Sequence, residues 1–223
     1  MIVNDTIYKF DEDGKALPYY GNTIVSYLND DRWPIFNEAI KAQEILKKAS
    51  FAECLAFLPP SSFHMTVLTL CREIDRGTKY WPANVPVDAK FMEVDRYLMG
   101  KVKEIEPPKD VMVEVEECEV TKIILKPYRK EDGEKLADYR DKVANLVGIK
   151  HYWHDYFRYH LTLDYQVKEL NDMQKSQRDE ICRDITKYLK SCVEPFAISE
   201  PKFVIFNDML SYETELSKRG NDC

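Results

Sequence analysis

The chain of 223 residues carries only 7 glycines and 11 prolines, a composition that excludes collagen-like and disordered architectures. It has no apolar run long enough to span a bilayer, and its first residues, MIVNDTIYKFDEDG, lack a basic stretch followed by an apolar one. A cytoplasmic protein with no membrane partner is expected. A basic stripe is also missing: the formal charge is −7, which argues against a protein that grips long duplex nucleic acid by neutralising many phosphates. A small anionic ligand held by a local pocket of donors is compatible with that charge. The six cysteines, Cys54, Cys71, Cys118, Cys182, Cys192 and Cys223, form no CxxC pair, so buried reduced thiols are expected rather than a disulfide or metal framework. Histidine is scarce, with 4 in the chain, which gives weight to where each one falls.

What is present describes a globular protein: 44% hydrophobic and 32% charged residues. One compact unit over 1–223 is expected, and a monomer. TIVSYL (23–28) reads as a strand, rich in β-branched and aromatic residues. From Asp31 the period becomes helical, with Ile35, Ala39, Ala42 and Leu46 on one stripe and Pro34 tolerated in the first turn. FAECLAFL (51–58) reads as a strand, PPSS as a break and HMTVLTLC as the next strand. An irregular connection (72–87) and a helix (89–105) follow. VMVEVEE alternates Val111, Val113 and Val115 against Glu114 and Glu116, with VTKIILKPY (120–128) as its antiparallel partner. A helix over 131–147 precedes the strand FRYHLTLDY. Asn171, with Gln174 three residues on, caps a further helix whose face carries Ile181, Ile185, Leu189 and Cys192, and KFVIF (202–206) is the last strand. The order predicts two α+β lobes with antiparallel or mixed sheets and outer helices, without the uniform rhythm of a doubly wound parallel sheet.

Two strands share a pattern, HMTV at 64–67 and HLTL at 160–163. Side chains alternate across a strand, so His64 and Thr66 share one face, and His160, Thr162 and Asp164 another, with Leu161, Leu163 and Tyr165 opposite. One such motif is most often a half-buried histidine beside a β-favouring threonine. Two by chance are expected on the order of once in a hundred sequences of this composition. If the polar faces meet across a groove, two imidazoles and two hydroxyls converge. Threonine hydroxyls donate to non-bridging phosphate oxygens, and imidazole is the side chain that gives or takes a proton near neutrality. Opening a phosphodiester in line needs a base for the attacking water and an acid for the leaving alkoxide, and two histidines supply both without a metal or other cofactor.

The pair HMTV and HLTL resembles the signature of the 2H phosphoesterase superfamily, which includes RNA ligase-like proteins and cyclic phosphodiesterases. GNTIVSYL, LPPSSFHMTV and YHLTLDY resemble in particular a branch catalogued as a domain of unknown function within it. The resemblance covers about residues 8–206. It implies a bilobal, pseudo-symmetric α+β fold with a central groove, one HxT motif per lobe, His64 and His160 as acid and base, and Thr66 and Thr162 as phosphate ligands. Which histidine is the acid stays open. Tyr165 matches a tyrosine that contacts phosphate in some relatives, but strict alternation turns it away from Thr162 unless the strand bends after Leu163. The implied substrate is a small nucleotide or an RNA end with a cyclic phosphodiester or 2′-5′ linkage; the alternative is a module that binds a nucleotide or phosphate ligand without turnover.

Other residues admit two readings. Asn22, beside Tyr19 and Tyr20, can hydrogen-bond a base edge or serve packing and turn formation. Arg158 can meet a phosphate or stand as a solvated strand-end cation. His151 and His154 in HYWH lack a third metal ligand in the sequence and read as loop histidines, with Trp153 at the groove rim; no metal site is expected. The loop from Arg72 to Pro86 is long enough to act as a lid.

Overall fold

A computed structural model describes residues 4–220 of the chain; Cys223 lies outside them. β1 (Gly21–Tyr27) is followed by α1 (Ile35–Leu46), β2 (Leu55–Phe57) and β3 (His64–Arg72). Then come α2 (Phe91–Val102), the hairpin of β4 (Met112–Cys118) and β5 (Lys122–Pro127), and α3 (Lys130–Val147). β6 (His160–Thr162), β7 (Asp164–Gln166), α4 (Asp172–Cys192), β8 (Phe196–Ala197) and β9 (Lys202–Phe206) complete the fold.

Seven strands form one antiparallel sheet in the order β8-β4-β5-β6-β3-β1-β9, while β2 pairs with β7 in a separate ladder. The sheet is two half-sheets joined at the middle. Each half contributes its motif strand to the junction, because β3 pairs with β6 with Met65 opposite Leu161. This is the α+β, bilobal 2H phosphoesterase-like architecture expected from the motif pair, with every strand pairing antiparallel.

The helices follow the apolar stripes. Ile35, Ala39, Ala42 and Leu46 are fully buried, and Pro34 sits at the N-cap of α1. α3 ends on Gly148, whose φ of 73° provides the left-handed turn that glycine adopts without strain. At the start of α4 the Asn171 side chain accepts from the Gln174 amide at 2.9 Å and the Gln174 side chain accepts from the Asn171 amide at 2.9 Å, a reciprocal cap. The buried face of α4 is Cys182, Ile185 and Leu189; Cys192, expected on it, is exposed. On the helix side of the junction, Met65, Val67, Leu161 and Leu163 are completely buried.

Two strand expectations need correction. FAECLAFL forms a 3-10 turn over Ala52–Cys54 and only then the short β2. FRYHLTLDY is not one strand: β6 ends at Thr162, and the chain leaves the main sheet to pair with β2 as β7. The Leu163 carbonyl accepts from the Leu58 amide at 3.0 Å and from the Gln43 side chain at 2.6 Å, so buried donors fix the crossing point.

Candidate active site

Continuing the register of the Met65–Leu161 pair sets His64 opposite Thr162, and Thr66 opposite His160. Directly opposed residues share a face, and diagonal neighbours lie about 7–8 Å apart, which is the relation of His64 to His160. The four side chains line one groove of about 680 Å³.

The two imidazoles are anchored alike. His64 Nδ1 donates to the Ser62 carbonyl at 2.7 Å, and His160 Nδ1 donates to the Arg158 carbonyl at 2.8 Å, each two residues back. A carbonyl accepts only, so each ring carries its proton on Nδ1 and leaves Nε2 for a ligand. The rigid PPSS turn sets the first anchor: Ser62 closes a 3-10 turn, donating from its hydroxyl to the Pro59 carbonyl at 2.8 Å.

Burial pushes the His64 imidazole down to about 4, and the charge of His160 adds to the effect against the raising influence of the Ser62 carbonyl. Burial also pushes His160 down to about 4; there the Arg158 carbonyl opposes the shift and the Lys122 cation adds to it. Both rings are therefore neutral near pH 7, and a charge on His160 disfavours one on His64.

The groove lining carries Lys9, Arg72, Lys122 and Arg158 beside Asp5, each cation paired with a carboxylate, Lys122 with Glu119 at 3.4 Å. Lys122 stands opposite Thr162 on β5. Lys9 Nζ lies 3.0 Å from Asp5 Oδ1 and 5.0 Å from the centre of the Tyr165 ring. Arg72 pairs with Asp75 at 2.8 Å and with Asp5 at 3.3 Å. Aromatic rings supply the remaining walls. Tyr212 packs 4.0 Å from the His64 ring, centre to centre, and Phe206 lies over Gly21, where a Cβ would come within 2.3 Å of that ring. Trp153 and Phe157 also line the groove.

Tyr165 lies in the groove because the chain breaks after Leu163 and the alternation starts afresh in β7. The same break removes Asp164 from the face of His160 and Thr162: it is completely buried, and neither carboxylate oxygen has a protein hydrogen-bond partner. Arg158 is at the groove but already held by Glu116, Glu117 and Glu119 at 3.1, 2.7 and 2.7 Å. Asn22 lies outside the groove lining. It is fully buried, donates to Asp95 at 3.0 Å and accepts from the Cys71 amide at 2.9 Å, which occupies both ends of its amide away from the groove. Asp95 in turn pairs with the buried Arg219 at 2.7 Å, so Asn22 belongs to a structural network behind β1.

His151 bonds the Leu70 carbonyl at 2.8 Å and stacks against Tyr80 and Trp153 at 4.3 and 4.6 Å. His154 bonds Asp141 at 2.8 Å. Neither reaches the groove lining. Sequence reasoning missed Lys9, Asp5, Tyr212 and Lys122. Lys122 reaches the groove through the pairing of β5 with β6, which sequence reasoning did not anticipate.

Two HxT motifs paired at the middle of one antiparallel sheet, lining a shared groove, define a 2H phosphoesterase-like fold. Residues 9–124, just over half of the chain, match the family model 2H-phosphodiest, domain of unknown function (DUF1868). The chain belongs to that family, and membership supports a phosphodiesterase-type activity in general. It is similar to the crystal structure of a conserved protein of unknown function from Agrobacterium tumefaciens, at 25% identity and a TM-score of 0.88 over 96% of this chain and 91% of that one. It is also matched to Escherichia coli LigT in apo form, at 13% identity and a TM-score of 0.46 over 85% of this chain and 88% of that one. No curated protein matches the chain. Among the described residues no helix is long and apolar enough to cross a membrane.

Proposed function

We propose that the protein is a metal-independent phosphoesterase that hydrolyses a cyclic phosphodiester or 2′-5′ type linkage in a small nucleotide or at an RNA end. The observation that carries this reading is the pairing of the two motifs, each with its imidazole anchored through Nδ1. Thr66 and Thr162 donate to the non-bridging oxygens. One Nε2 takes a proton from water as its oxygen bonds to phosphorus; the other imidazole, protonated, gives its proton to the alkoxide as the P–O bond breaks. The disfavour that a charge on His160 exerts on His64 suits a pair that holds a single proton. The phosphodiester supplies the negative charge that recruits that proton. Lys9, Lys122 and the aromatic walls, Tyr165 among them, suit a phosphorylated nucleoside, and Arg158 offers a rim cation.

A second reading has its own support. With both imidazoles near 4, the free site holds little imidazolium at pH 7, and such a groove can bind a nucleotide without turning it over. A panel of cyclic and 2′-5′ linked nucleotides incubated with the protein in EDTA separates the two. Release of a phosphomonoester from any member supports the esterase; ligand bound but recovered unchanged throughout supports binding alone.

A further inference from the structure

A second set of reactive side chains lies where the end of β4 meets α4. Cys118 closes β4 and Cys182 faces it from α4, both buried. One hydroxyl ties their backbones together: the Cys118 amide donates to Thr186 Oγ1 at 2.8 Å, and that hydroxyl donates to the Cys182 carbonyl at 2.7 Å. Interaction between the two thiols raises Cys118 and lowers Cys182; burial acts to raise both, and at Cys182 the Arg178 cation adds to the lowering while the Asp179 and Glu119 carboxylates oppose it. The Glu119 carbonyl, 3.3 Å away, is a further acceptor for the Cys118 thiol. Both cysteines line an open pocket of about 580 Å³, so a small solute reaches them. Unlike Cys182, the Cys54 and Cys71 thiols are raised, by burial.

We propose that Cys118 and Cys182 are an oxidisable dithiol, a modification site at which hydrogen peroxide closes an intramolecular disulfide. Cys182, as thiolate, attacks one peroxide oxygen; the O–O bond breaks, a sulfenic acid forms on Cys182 and hydroxide leaves. The Cys118 sulfur then attacks the Cys182 sulfur, the S–S bond forms and the S–O bond breaks. The two thiol protons and the two departing hydroxides make two waters, so two thiols lose two electrons to one peroxide. The bond fixes the strand end that carries Glu117 and Glu119, the carboxylates that hold Arg158 at the groove.

The test is peroxide treatment of the full chain, alkylation of remaining thiols and tryptic mass mapping without reductant. The expected result is the peptide DVMVEVEECEVTK joined to DEICR, lighter by two hydrogens and separated by dithiothreitol. In Cys118→Ser the sulfenic acid on Cys182 should persist and be trapped by dimedone. Recovery of both peptides alkylated after treatment, or of Cys182 joined to a different cysteine, overturns the proposal. The wild-type map decides the matter even if a serine variant fails to fold.

Discussion

The two motif strands carry the same side chains on unlike scaffolds. β3 runs nine residues between two partners, whereas β6 is three residues long and ends where the chain changes sheets. In β3 the alternation is reset by a register shift: Val25 faces Thr66 while Ile24 faces Leu68, so Val67 is the extra residue. The reset turns Thr69 into the groove after His64 and Thr66. In the second half the reset is the exit after Leu163, which turns Tyr165 in and Asp164 away. The shared geometry of the two imidazoles therefore comes from the local anchor two residues back and from pairing at the junction, not from equal strands.

The sharpest way to break this equivalence is to remove each histidine. His64→Ala and His160→Ala should each lower kcat on a cyclic nucleotide by about 10²–10⁴, the worth of a general acid or base. Full activity in either variant would show that the halves are not chemically paired.

The next effect is on pH. Both imidazoles lie below their unfolded value near 6.5, so their neutral forms add stability that is present above about pH 6.5 and is lost as the pH falls toward about 4. An anion in the groove favours imidazolium. Sulfate, which does not titrate in this range, should bind more tightly as the pH falls from 7 to 5, by up to about tenfold per unit for one proton taken up. Calorimetry on wild type and a His64→Gln, His160→Gln variant checks this, with the variant expected to lose the dependence.

A smaller effect isolates the exit after Leu163. Burial raises the Asp164 carboxyl well above the usual range, so the folded protein holds a proton that the unfolded chain releases, and stability falls as the pH rises above about 4. Asp164→Asn should raise the unfolding midpoint at pH 7 and flatten its pH dependence, as read by thermal denaturation across pH. The smallest effect is at the rim: because three glutamates already hold Arg158, Arg158→Ala should change KM by no more than a few-fold, measured by steady-state kinetics.

Most of the fold was legible because its elements follow local periods: the stripe of Ile35, Ala39, Ala42 and Leu46, the alternating valines of β4, and the reciprocal cap of Asn171 and Gln174 all reappear in the structure. The four motif residues were legible because the HxT spacing forces each histidine and threonine onto one face. The rest depended on contacts remote in sequence. Asn22 lies just before the strand expected from sequence, but it belongs to β1 and its partners are Asp95 and the Cys71 amide. Lys9 and Tyr212 reach the groove from segments near opposite ends of the chain. Asp164 followed the wrong face because alternation holds only within one strand, and the strand ended at Thr162.

The central claim is that the groove directs water at a phosphodiester. The most direct measurement is hydrolysis of a 2′,3′-cyclic or 2′-5′ linked nucleotide in ¹⁸O-labelled water and EDTA, with the product read by ³¹P NMR or mass spectrometry. The account predicts one labelled oxygen in the phosphomonoester from the wild type and none above background from His64→Ala or His160→Ala. Unlabelled substrate recovered intact across the whole panel, or equal labelling by the histidine variants, would contradict it.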